Sequence, residues 1–104
     1  MTKQVYLDNA ATTPMAPEVV EAMLPVLRNQ FGNPSSTHSF GRKTRALIEV
    51  SRRNIARMLN TAPGEIFFTS GGTEADNMAI KGAIESIGIK HAITSTIEHH
   101  AVGH

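Results

Sequence analysis

The sequence predicts an α/β protein whose helices pack on a mostly parallel sheet, a sheet left incomplete within these 104 residues. Three observations carry that prediction. Ile66-Phe67-Phe68-Thr69 and Ala92-Ile93-Thr94-Ser95-Thr96 are short apolar runs bounded by turn formers, the pattern of buried strands. Between them Ile80, Ala83, Ile84 and Ile87 form a helical stripe, so strand, helix and strand succeed one another as in a βαβ unit with a right-handed crossover. Two such central strands cannot make a parallel sheet alone, and the sequence reaches His104 one turn into a further helix without a stop signal. The expectation is the opening portion of a larger α/β protein. A self-contained 104-residue domain is the alternative.

In order along the chain, residues 1–16 read as an extended arm. Val5, Tyr6 and Leu7 suit a very short strand, and Asp8 to Pro14 are rich in turn formers. Residues 17–104 then begin the large domain. Pro17 suits a first helical turn, Glu18 favours its positive end, and Val20, Met23, Leu24, Leu27 and Phe31 make the apolar stripe. Pro25 lies inside that stripe and is expected to kink or break the helix. Phe31 to Gly41 is a loop by composition. A longer helix is expected from Arg42 to Leu59, with Ile48, Ile55 and Leu59 on one face and Asn60, Thr61, Pro63 and Gly64 ending it. After the 66–69 strand a third helix starts at Thr73 and stops at Gly88, and another begins near Glu98.

Ten Lys and Arg against nine Asp and Glu leave a formal charge of +1, which gives no reason to expect nucleic acid or an anionic membrane as partner. No run approaches the ~18 apolar residues of a membrane helix. Met1 to Val5 lack the apolar run of a secretory signal, so the cytoplasm is the expected compartment. The absence of cysteine excludes a disulfide framework, a cysteine zinc site and a thiol nucleophile within these residues.

Two constellations carry chemistry. Thr69-Ser70-Gly71-Gly72-Thr73-Glu74-Ala75-Asp76-Asn77 joins the first strand to its helix. Glycines without Cβ, orphan amides at the helix start and the Ser70 and Thr73 hydroxyls suit a single phosphate group. The spacing is neither the P-loop nor the dinucleotide pattern. Glu74 and Asp76 must then point away from the anion. With equal weight, the glycines make a tight turn and Thr73 with Asp76 forms a variant capping box. The second constellation, Glu98 to His104, holds three of the five histidines at the end of the second strand. His100 and His104, four apart, share a helical face that could bind a metal, although no glutamate stands between them. One imidazole could instead face a planar ligand beside the Gly-Gly turn, or these could be surface and capping residues. Spacing leaves all three open.

Four segments, in this order and spacing, resemble one family: Tyr6 to Pro14, Phe31 to Ser36, Phe68 to Asn77 and Ile93 to Val102. Together they are similar to the N-terminal quarter of NifS/IscS-type cysteine desulfurases, class V members of the fold-type-I pyridoxal-phosphate enzymes. The resemblance implies the cofactor-binding domain of a homodimeric transferase that takes sulfur from L-cysteine and releases L-alanine. It would pass a persulfide to acceptor proteins such as an iron–sulfur scaffold, or to thiolation. It implies that Gly72 and Thr73 hold the phosphate of pyridoxal 5'-phosphate and that His99 stacks on the pyridine ring and assists proton transfers. It assigns no role to His100 and no metal. The arm and the Asn33-Pro34 loop would lie near the active-site entrance.

The family's Schiff-base lysine, acceptor cysteine and pyridine-pairing aspartate lie downstream of the matched region. This sequence has no cysteine, and Lys3, Lys43, Lys81 and Lys90 fall outside the family's His-Lys context. The 104-residue chain alone is therefore expected to be inactive. Alternatives are another class V enzyme, such as a transaminase or a selenocysteine lyase, a non-catalytic metal module built on His99, His100 and His104, or a fragment with no role of its own. The last predicts exposed apolar surface at Ile66, Phe67, Phe68, Ile80, Ile84 and Ile93.

Overall fold

The structure is a computed structural model that describes residues 3–103. By internal contacts the chain divides after Asn60 into two compact units.

The first unit holds the arm and two helices, α1 (Pro17–Asn29) and α2 (Ser39–Leu59). In the arm, the amides of Ala11 and Thr12 donate to the Asp8 carbonyl at 3.1 and 3.4 Å, and the hydroxyls of Tyr6 and Thr12 lie 2.9 Å apart. Pro17 opens α1 with Glu18 in its first turn and Arg28 in its last, each matched to the nearer pole of the helix dipole. The helix runs through Pro25. A proline there removes only the bond to the Glu21 carbonyl, and the flanking turns keep theirs.

α2 begins at Ser39, three residues before the expected Arg42. His38 supplies the reason: its Nδ1 accepts from the Gly41 amide at 3.3 Å, and its carbonyl accepts from the Arg42 amide at 3.1 Å. The preceding loop is fastened by short-range bonds. Asn33 takes the Ser35 amide on Oδ1 at 2.8 Å and the Ser36 amide on its carbonyl at 3.0 Å. Arg45 Nε donates to the Pro34 carbonyl at 2.9 Å, Arg42 Nη1 donates to the Thr37 carbonyl, and the rings of Phe31 and Phe40 lie 5.3 Å apart. Chain approaches chain so closely that a Cβ on Gly41 would stand 2.5 Å from the carbonyl oxygens of Asn33 and Ser36. A Cβ on Gly32 would stand 2.5 Å from the Phe40 carbonyl. Gly41→Ala in the full-length protein is expected to cost about 1–3 kcal/mol, because backbone must move. A lowered thermal midpoint checks this, and an unchanged one refutes it.

On α2, Ile48 and Ile55 are half-buried, Leu59 is exposed, and Ala56 is buried. Asn60 ends the helix in the left-handed region, φ 54°, its amide bonded to the Ala56 carbonyl.

The second unit holds a 3₁₀ turn (Pro63–Glu65), α3 (Gly72–Ile87) and the short α4 (His100–Gly103). The Glu65 carboxylate closes the 3₁₀ turn by accepting from the Ala62 amide at 2.8 Å and from the Thr61 hydroxyl. These two donors, Thr61 first, hold the Glu65 carboxyl below its ordinary range. The 65–69 segment runs beside α3, where Phe67 and Thr69 share an apolar groove with Ala75, Met78, Ala79 and Gly82. α3 ends at Gly88, φ 71°, a conformation that glycine adopts without strain.

The expected strands at 5–7, 66–69 and 92–96 are absent: no β-strand occurs among the described residues. The helices of the α/β prediction are present and its sheet is not. A strand exists only through a ladder to a neighbour, and a lone parallel pair lacks the flanking strands and covering helices that stabilise it. Apolar groups meant for such a sheet stand open. Ile93 is 101% exposed and Phe67 70%, with Phe68, Ile80 and Ile84 exposed to lesser degrees. Among the described residues only Ala56 and Ala101 are buried hydrophobics. No helix among them is long and apolar enough to cross a membrane.

Candidate functional site

The Gly-Gly turn leads into the start of α3, where several backbone donors are left without carbonyls. Ala75 is the first residue of the helix whose amide finds a carbonyl, that of Gly71 at 3.1 Å. The amides of Gly72, Thr73 and Glu74 and the Thr73 hydroxyl have no hydrogen-bond partner among the described residues. They converge at the positive pole of a 16-residue helix. Gly71 is extended, with φ 172°, so its glycine is not required by a left-handed conformation. A Cβ on Gly71 or Gly72 would meet no atom within 4 Å. Neither strain nor packing within the chain calls for two glycines here. Bare backbone at these two positions leaves the amides open to approach.

Glu74 reaches back past the helix start, so its carboxylate stays at that end of α3. Its Oε2 accepts from the Ser70 amide at 2.6 Å and from the Ser70 hydroxyl at 2.7 Å. The Ser70 hydroxyl, then its amide, hold the Glu74 carboxyl below its ordinary range. This link takes the place of the expected Thr73–Asp76 capping box, because the helix starts at Gly72 and puts Glu74 in its first turn. The Ser70 hydroxyl is thus engaged by Glu74, while no such partner is recorded for the Thr73 hydroxyl among the described residues.

His99 stands just before α4. Its Nδ1 accepts from the Ala101 amide at 3.1 Å, and its carbonyl accepts from the Val102 amide at 2.9 Å. A ring nitrogen that accepts carries no proton, so the neutral imidazole holds its proton on Nε2. His99 is exposed, and the His100 ring lies 6.1 Å away at 63°. Among the described residues no three metal-capable side chains cluster, and His104, the third member of the metal reading, lies outside them.

Asn77 joins the two constellations, and the sequence reading gave it no role. Its Nδ2 donates to the Thr73 carbonyl at 2.9 Å and to the Ala101 carbonyl at 3.3 Å. One carboxamide therefore ties the first turn of α3 to the segment that carries His99. The only signal in the sequence was a polar residue four positions after Thr73, a spacing that permits a back-bond within the helix. The long-range half of the link has no sequence signature.

A family model described as aminotransferase class-V matches residues 5–103. The chain is 57% identical over 104 residues to cysteine desulfurase IscS of Dictyoglomus turgidum, covering 98% of this chain and 26% of that protein. It is 54% identical over 105 residues to cysteine desulfurase IscS of Methanosarcina thermophila, again covering 98% of this chain and 26% of the relative. Among solved structures, a NifS-like protein superposes with a TM-score of 0.83 at 39% identity, over 96% of this chain and 28% of that one. The chain thus spans about a quarter of the length of these relatives. It belongs to the class V aminotransferase family.

Proposed function

We propose that these residues serve a pyridoxal-phosphate-dependent cysteine desulfurase, which removes sulfur from L-cysteine, releases L-alanine and hands the sulfur as an enzyme persulfide to an acceptor protein. The observation that carries the proposal is the set of unbonded amides at Gly72 and Thr73, linked through Asn77 to the His99 segment. Its support from kinship is the identity to proteins named cysteine desulfurase.

The residues present fit the phosphate of such a cofactor. The Gly72 and Thr73 amides and the Thr73 hydroxyl would each donate to a phosphate oxygen, and charge-assisted bonds of this kind are about twice as strong as neutral ones. The α3 dipole adds attraction, and the Glu74 carboxylate, held at Ser70, is kept from claiming those donors itself. When bound, pyridoxal phosphate supplies an electron sink for bond breaking at the substrate's α-carbon. His99 would lie on the face of the ring and limit its tilt. With Nδ1 accepting from the Ala101 amide, its Nε2–H would donate a hydrogen bond outward; acting as a general acid would need a second proton on the ring, and with it release of that amide.

The covalent lysine and the sulfur-accepting cysteine would come from elsewhere in the enzyme, because these residues hold no cysteine. A homodimer, an iron–sulfur scaffold as acceptor and a cytoplasmic setting belong to the same proposal. Reducing thiols in that compartment suit persulfide transfer. The test is an assay of the full-length protein with L-cysteine, pyridoxal phosphate and a thiol reductant that frees the persulfide sulfur as sulfide, beside the bare 104-residue chain. Equimolar sulfide and alanine from the first and none from the second are expected. A keto acid in place of alanine, or turnover by the bare chain, would overturn the reading.

A further inference from the structure

Resting on that cofactor site, we propose that Asn77 is a positioning residue that sets the imidazole of His99 against the phosphate turn. The atoms form a continuous path. Asn77 Nδ2 has two hydrogens, and the two carbonyls within reach, of Thr73 and Ala101, use both. The Thr73 carbonyl closes the turn whose amides face the anion. The Ala101 carbonyl belongs to the peptide that continues into the Val102 amide, which donates to the His99 carbonyl at 2.9 Å. The Ala101 amide meanwhile donates to His99 Nδ1 at 3.1 Å. Backbone and ring of His99 are thus both anchored on Ala101 and Val102, and Asn77 anchors that pair to α3.

The residue types fit the task. Aspartate would set an acceptor against two carbonyls, and serine carries one donor for two acceptors. Ala101 is 7% exposed, so the small side chain at this point lets the first turn of α4 sit down on α3. Asn77 is half-buried, where a bond in lowered dielectric holds geometry better than one in water. The consequence is functional. The Ala101 amide can fix the proton on Nε2 of His99 only while α4 stays in place, and Asn77 is the side chain that holds it there.

The experiment compares the full-length protein with N77L, N77S, H99A and N77L/H99A. The first readout needs no cofactor: ¹⁵N-histidine NMR of the apoprotein should give His99 as one Nε2–H form in the wild type, a mixture of tautomers in N77L and an intermediate in N77S. With pyridoxal phosphate bound, N77L should lose most of the cofactor's induced circular dichroism while its affinity for inorganic phosphate stays within about twofold. Its kcat should fall roughly 10- to 100-fold, as for other groups that orient a functional imidazole. Because Asn77 acts through His99, N77L/H99A should be no slower than H99A. A single Nε2–H form in N77L, an unchanged dichroic band, or losses that multiply in the double variant would each overturn the assignment of Asn77. Failure of the wild type to bind pyridoxal phosphate would instead strike the cofactor reading, and the apoprotein tautomer would still decide the role of Asn77.

Discussion

Replacing His99 by alanine in the full-length enzyme is expected to lower kcat for alanine release by about 100- to 10,000-fold, the range for losing a positioned acid–base group. His99 stands exposed just before α4. Its Nδ1 is occupied by the Ala101 amide, which leaves Nε2 as the atom that carries the proton outward. Because the ring is exposed and the alanine variant keeps the backbone bond from Val102, folding should be little affected. Steady-state kinetics with L-cysteine, read beside a thermal melt, measures both. A kcat within about twofold of wild type would remove His99 from the proton path.

Gly72→Asp is expected to weaken pyridoxal phosphate binding by roughly 1.5–3 kcal/mol, about 10- to 150-fold, because the added carboxylate repels the phosphate and takes a donor that would otherwise serve it. The sign on stability is opposite. A Cβ at this position meets nothing within 4 Å, and an added carboxylate in the first turn complements the dipole by about 0.3–1 kcal/mol. The apoprotein should therefore melt at the same temperature or higher while the cofactor binds poorly. Pyridoxal, which lacks the phosphate, should bind both forms alike. A parallel loss for pyridoxal, or a large fall in melting temperature, would mean that Gly72 serves the fold and not the anion.

The parts of this molecule that were legible in the sequence are those decided by neighbours a few residues away. Pro17 marks the start of α1, Asn60 and Gly88 mark ends where the backbone turns left-handed, and the Ile80 to Ile87 stripe marks α3. The open amides of Gly72 and Thr73 follow from the same local cause, since they belong to the helix's own first turn. The α2 start was misread by three residues because Phe40 and Gly41 look like loop and His38 does not look like a cap until its Nδ1 is seen on the Gly41 amide. Ser70 was misread by a similar margin, because a helix begun at Gly72 makes Glu74, and not Asp76, the carboxylate that reaches back. The strands were read from apolar runs, yet a ladder depends on partners that periodicity cannot supply. Asn77 escaped notice because one of its two acceptors lies on a different element.

The corner between α1 and α2 has a consequence of another kind. Its bend is held by main-chain oxygens meeting Gly32 and Gly41 and by Asn33, Arg42 and Arg45 reaching a few positions along the same strip of chain. Side chains on the outward faces of the two helices contribute nothing to that hold. The bend therefore answers to substitutions at Gly32 and Gly41, where main chain would have to move.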